Sequence, residues 1–375
     1  MNVAILSNSY GEDRSGALIA GELKKLDKKT KIRAFPLISL GEEYKKRNIE
    51  VTGGHPPSNS GGFFLKSLKG LFADIIENAA VPFSYVNQLR KFKKSIDTVV
   101  VVGDTPLFVL GYFSLRKKAY FLDQCKSAFI APHLPIERLF MKRLTKIVFT
   151  HDGITAGVLQ KRGINAEFFG NPMMDDLIEE GKYYPPGVKI LIGLLPGSRK
   201  EAYSNMRKIA KVVRELLGRE NNLHFAVALS GTVDKNRMME AVPGFPDRID
   251  FRYGSFVDIV KNSKFVISLG GTASEQSLYL GSPVISFPGS GAQNTKRRLK
   301  GQKKLLGDAF VLLRYKPEKI AEKILETVRN ETLLKKLKSK GKERAGKSGG
   351  AKKIAEFIYS SEKKNEKITT EYTEK

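Results

Sequence analysis

The 375-residue chain has one cysteine, no tryptophan, four histidines and little acid: 39 Asp and Glu stand against 65 Lys and Arg. The lone Cys125 excludes an internal disulfide and reads as a structural thiol packed in the interior. His55, His133, His151 and His224 are scattered without ligand spacing, so no zinc site is expected. Long apolar runs are missing too. The most apolar stretch, "VVVVGDTPLFVLGYF", is interrupted by Asp104 and Pro106 and is too short to span a bilayer. The opening "MNVAILSNSYGED" has no basic start and meets acids early; it reads as a first core strand and not as a signal peptide, and a cytoplasmic protein is expected. No Asp-x-Asp occurs, and Asp175-Asp176 is the only pair of adjacent aspartates, so a carboxylate-held divalent metal has little support.

The shortage of acid leaves a formal net charge of +26, which favours an anionic partner: nucleic acid, an anionic membrane surface or a phosphorylated small molecule. No zinc-finger spacing, RNP-type sequence or basic region joined to heptads accompanies the charge. No specific nucleic-acid partner is expected.

What the chain does have is an alternation of apolar runs with helix-period segments. "NVAILSN", "KIRAFPLIS", "TVVVVGD", "AYFLDQ", "KIVFTHD" and "AEFFGN" are too continuous for half-exposed antiparallel strands and predict a buried parallel sheet. The rhythm pauses at "MMDDLIEEGKYYPPGVK" and restarts with "KILIGLLPG", "HFAVALSG", "RIDFRYGS", "KFVISLGG", "PVISFPG" and "AFVLL". The expected architecture is α/β: two doubly wound Rossmann-like domains, residues 1–180 and 187–346, facing across a cleft. A carboxy-terminal helix over 347–364 and a disordered tail over 365–375 follow. Residues 61 to 94, rich in Phe and Leu with Lys66 and Lys69 among them, break the rhythm. They read either as a buried helix pair or as an apolar and basic patch resting on anionic lipid.

Three loops at strand ends are candidates for chemistry. "SNSYGEDRSG" carries Gly11 and Glu12, but it lacks the G-x-G-x-x-G of a nicotinamide site. In "LLPGSRKEAY", Gly197 permits a tight turn, Ser198 suits a helix cap and Arg199 supplies a fixed bidentate cation, an arrangement that suits a phosphate; a plain capped turn has the same spelling. In "SLGGTASEQSLYLG", Gly270 and Gly271 end a strand, Thr272 opens a helix and Glu275 falls one turn in, where a carboxylate accepts ribose hydroxyls. No lysine completes a P-loop, and Thr272 with Glu275 also spells a capping box.

In loop order and spelling, "NSYGED", "VVGDTPLF", "GNPMMDDL", "LLPGSRKEAY" and "GGTASEQSLYLGSPVISFPGSGAQNT" together resemble the lipid-A-disaccharide synthase family, and more closely the group described as lipid-A-disaccharide synthase-related proteins. The resemblance covers most of the chain. It implies a GT-B fold and an inverting, metal-independent, cofactor-free glycosyltransferase, moving an N-acetylglucosamine-type sugar from a UDP-sugar donor to a lipid or glycolipid acceptor. The basic surface and the residue 61 to 94 segment would seat such an enzyme peripherally on the inner face of the membrane. In the synthases the helix acid falls one position later, at Gln276 here. The spacing to Glu275 is instead similar to the N-acetylglucosaminyltransferase of peptidoglycan synthesis, where that glutamate holds the ribose. "GSGAQNT" is similar to the same enzyme's glutamine loop, which makes Gln293 the candidate sugar contact. Asp104 matches the family's catalytic aspartate, a base for the acceptor hydroxyl, and it also suits a cap for the helix at Pro106; His133, Asp123 and Glu12 stand in reserve. A UDP-sugar 2-epimerase and a non-catalytic nucleotide-sugar-binding protein are the alternatives.

Overall fold

The structure is a computed structural model that describes residues 1–54, 80–185, 187–244, 246–346 and 348–373. Two compact units divide it: Met1–Asp176 with Ser348–Lys375, and Leu177–Lys347.

In the first unit, β1 (Asn2–Ser7), β2 (Lys31–Pro36), β3 (Glu50–Val51), β4 (Thr98–Gly103), β5 (Ala119–Asp123), β6 (Thr145–Thr150) and β7 (Ala166–Glu167) form one sheet in the order β3-β2-β1-β4-β5-β6-β7. All its pairings are parallel. The apolar runs are continuous because both faces are covered. Val3, Ile5, Val100 and Val102 pack on one side, and Ala4, Leu6, Val99 and Val101 on the other. The two-residue β3 was not anticipated, since "IEVT" is too short for a periodic signal.

In the second unit, β8 (Ile190–Leu195), β9 (Leu223–Leu229), β10 (Ile249–Tyr253), β11 (Phe265–Ser268), β12 (Val284–Ser286) and β13 (Phe310–Leu312) make a second parallel sheet, ordered β10-β9-β8-β11-β12-β13. Its helix Glu201–Leu217 buries Ala202, Met206, Ile209, Val213 and Leu216, a helical stripe that seats it on the sheet.

The last helix, Gly350–Thr373, belongs to the first unit. Ala351, Ile354, Ala355 and Ile358, spaced three and four apart, are all buried against β1 and its neighbours. The helix continues to Thr373, through most of the stretch expected to be a disordered tail, because no glycine or proline after Gly350 stops it. The acidic pair explains how it is docked. Asp175 accepts from the backbone N–H groups of Gly349 at 2.6 Å, Gly350 at 3.3 Å and Ala351 at 2.7 Å, while Asp176 pairs with Arg14 at 2.8 Å and Arg47 at 3.0 Å. Of the segment 61 to 94, residues 61–79 lie outside the described residues. The rest contributes the helix Ala80–Lys91. Among the described residues no helix is long and apolar enough to cross a membrane.

Candidate functional site

In each sheet the strand order reverses once, between β1 and β4 and between β8 and β11. Loops leaving two such neighbours run in opposite directions and open a crevice at the carboxyl edge, where α/β sheets bind ligands.

At the second-unit crevice three loops meet. After β8 the chain turns at Gly197, whose φ of +112° is strained for any residue with a Cβ; a Cβ there would sit 3.8 Å from the Leu269 carbonyl beyond β11. After β11, Gly270 holds the cap position of the helix Gly271–Tyr279 and, as a glycine, gives that amino end no side-chain cap. After β12, the segment 288–294 folds back. Gly291, at φ +91°, lies against Glu201, and the Gln293 carboxamide oxygen sits 3.8 Å from where a side chain on Gly271 would begin. Asn205 ties the loops together. Its Nδ2 donates to the Pro196 carbonyl at 3.1 Å, and its Oδ1 accepts from the Ser290 N–H at 2.7 Å. Gln302 adds a bond from Nε2 to the Gly271 carbonyl at 2.9 Å. Arg199 and Ser198 are exposed at the rim; Glu275 is buried, with 9% of its surface exposed, and Gln276 half-buried, one turn into the helix.

Two expected caps are absent. Helix Gly271–Tyr279 starts at the glycine pair itself, so Thr272 is its second residue and Glu275 its fifth, and they form no capping box. The two glycines let the strand turn into helix at once, which moves the start ahead of the threonine. Ser198 caps nothing. The following helix begins at Glu201 with Lys200 in the cap position, and the Ser198 carbonyl accepts the Thr232 hydroxyl at 2.5 Å.

At the first-unit crevice the carboxyl ends of β1, β4 and β5 gather acids. Asp104 caps helix Thr105–Leu115, its Oδ1 accepting the Leu107 N–H at 3.2 Å. Burial raises its pKa, and the neighbouring Asp123 charge adds to the rise. Glu12 and Gly11 lie in the first turn of helix Tyr10–Leu26 and not in a loop; burial raises Glu12 as well. A side chain on the exposed Gly11 would meet nothing within 4 Å. Asp123 and His133 are both buried and share a 2.5 Å hydrogen bond between Oδ2 and Nε2. The half-buried Cys125 thiol donates to Glu12 at 3.5 Å; burial and the carboxylates Glu12, Asp104 and Asp123 push it well up, so it stays a protonated donor. Burial thus raises both Glu12 and Asp104, and carboxyl oxygens here suit a ligand that presents hydroxyl or amino hydrogens.

The structure thus brings together Gly197, Gly270, Gly271 and Gln293 in one unit, and Glu12, Asp104, Asp123 and His133 in the other. Sequence reasoning missed Asn205 and Gln302. Their signal was a polar residue on the buried stripe of an otherwise apolar helix face, between Ala202 and Met206 and between Leu299 and Leu305.

Two parallel sheets, each reversing its order once beside its crevice, define a GT-B fold. No family model and no curated protein matches the chain. Solved structures do. The UDP-GlcNAc 2-epimerase from Neisseria meningitidis bound to UDP-GlcNAc is similar at 14% identity and a TM-score of 0.64, covering 97% of this chain and 100% of that one. MurG from Acinetobacter baumannii is similar at 12% identity and a TM-score of 0.63, covering 96% and 99%. CalG4, the calicheamicin glycosyltransferase, is similar at 13% identity and a TM-score of 0.67, covering 96% and 97%.

Proposed function

We propose that the chain is a UDP-sugar enzyme whose second unit binds the nucleotide sugar, and that it transfers the sugar, of N-acetylglucosamine type, with inversion to a lipid-linked acceptor, in the manner of lipid-A-disaccharide synthase-like transferases. The observation that carries the donor assignment is the meeting of three loops at the β8/β11 switch point, with an uncapped helix end, Arg199 at the rim and Gln293 beside Gly271. In this reading the amides of Gly271 and Thr272 and the Arg199 guanidinium stabilise the charge on the departing UDP, and no metal takes part in the step. Glu275 holds the ribose, with Gln276 next to it at the position the synthases use. Asp104 takes the acceptor hydroxyl's proton as its oxygen attacks the anomeric carbon; the raised pKa of this carboxyl supports that role. A lipid acceptor and a seat on the membrane are supported by exposed apolar side chains on three successive first-unit helices: Phe83, Phe113, and Ile136 with Leu139.

A second reading, a UDP-sugar 2-epimerase, is favoured by the epimerases among the similar structures and by the number of acid and base groups around Asp104. Inverting a carbon that bears hydrogen means removing a proton and returning one to the opposite face, work for more than one such group.

Product analysis separates the two. Incubated with UDP-N-acetylglucosamine, a transferase releases UDP only when a lipid acceptor is supplied, and Asp104→Asn lowers that rate by ~10²-fold or more. Formation of the 2-epimer without acceptor assigns the second reading, and turnover undiminished in Asp104→Asn removes this residue as the base.

A further inference from the structure

Between Glu275 and Asp308 the sequence contains no acidic residue, and the helix Lys296–Leu306 lies in this stretch. Its inner face is Leu299, Gln302, Leu305 and Leu306, all buried. Its outer face carries Lys296, Arg297, Lys300 and Lys304, all exposed and without an ion-pair or hydrogen-bond partner among the described residues. This pattern works against the helix itself. Cations in the first turn oppose the helix dipole, and like charges four residues apart, as at 296, 300 and 304, repel each other. The buried face and the Thr295 cap hold the helix without them. The charges therefore look outward.

We propose that this helix is the face through which the second unit docks on an anionic lipid bilayer. Three of the cations fall on a line about 12 Å long, at 1.5 Å of rise per residue. They project from a convex ridge, so they do not converge on a single phosphate, which calls for donors around a concavity. A ridge of separated charges matches a plane of separated headgroup phosphates, each near cation adding its own attraction. The helix starts directly after the 288–294 loop that carries Gln293, so the bilayer contact adjoins the donor crevice. The inference rests on the reading above only for the lipid nature of the acceptor.

The test uses the full chain in flotation with vesicles of phosphatidylcholine alone and of phosphatidylcholine with about one third phosphatidylglycerol. The parent protein is expected to prefer the anionic vesicles at least ~10-fold, with the preference fading as salt is raised. The variant K296Q/R297Q/K300Q/K304Q is expected to lose at least ~10-fold of that binding, while K211Q/K235Q/K335Q/K336Q, with the same change in charge elsewhere on the unit, stays within about 2-fold. Equal losses in both variants, no preference for anionic vesicles, displacement by soluble glycerol phosphate, or tighter binding to duplex DNA would each overturn the proposal. UDP titration of the same proteins keeps the two readings apart. Lost vesicle binding with intact UDP binding in the first variant supports this face, whereas a parent chain that fails to bind UDP refutes the donor site alone.

Discussion

Asp13 is a buried carboxyl between two hydroxyls, accepting from Ser7 at 2.6 Å and from Ser39, and burial lifts its pKa from 3.8 to about 6 despite both bonds. The folded chain therefore binds this proton more tightly than the unfolded one. Its contribution to stability is largest below the unfolded value and is lost as pH rises through about 6. A shift of this size corresponds to about 2–3 kcal/mol. Asp13→Asn should remove that pH dependence, so the difference in urea midpoint between parent and variant changes from pH 4.5 to pH 7.5, roughly the range over which the group titrates; parallel profiles would contradict the assignment. Asn205 makes a second residue-scale prediction. Asn205→Ala strips the buried Pro196 carbonyl and the half-buried Ser290 N–H of their partner and should cost about 1–3 kcal/mol of second-unit stability in chemical denaturation. If the proposed donor site is right it should also weaken UDP binding, since two of the three loops at the second-unit crevice lose their common tie.

The last helix is the element that most changes the picture of the chain. Its stripe Ala351, Ile354, Ala355 and Ile358 fills one face of the first sheet. At its other end Glu362 accepts from Thr98, Tyr120 and Lys146. Ile354→Ala should destabilise the first unit by about 2–5 kcal/mol, and Asp175→Ala should expose the amides at 349–351 to rapid hydrogen exchange while leaving the second unit unchanged. This docking was not legible in the sequence. Apolar spacing says that a helix packs, not what it packs on, and here the surface lies more than two hundred residues earlier at β1. The strands were legible because burial on both faces leaves an uninterrupted apolar run in each. At the second-unit crevice Gly197 was readable as a tight turn, and it adopts a backbone angle that other residues resist; Gly291, which does the same, was not singled out. The caps were not. "TASE" spells a capping box, yet the glycine pair before it starts the helix earlier, and only the tertiary fold shows which residue comes first.

At the scale of the whole molecule, each unit is one parallel sheet with one switch point, and each switch point carries a different chemistry. The second unit offers glycine turns, a helix end and cations, which suit phosphate and sugar. The first offers carboxyls of raised pKa and a His133–Asp123 pair, which suit proton transfer. The excess of 26 positive charges is thus unevenly spread: acids gather at the carboxyl ends of β1, β4 and β5, while the exposed face of helix Lys296–Leu306 carries only cations. The claim on which the rest depends is the nucleotide-sugar site at β8 and β11. Calorimetric titration with UDP-N-acetylglucosamine tests it most directly. The account predicts saturable binding to the parent chain, weakened at least ~10-fold in Arg199→Ala and in Glu275→Ala. Absence of saturable binding, or binding undiminished in both variants, would contradict it.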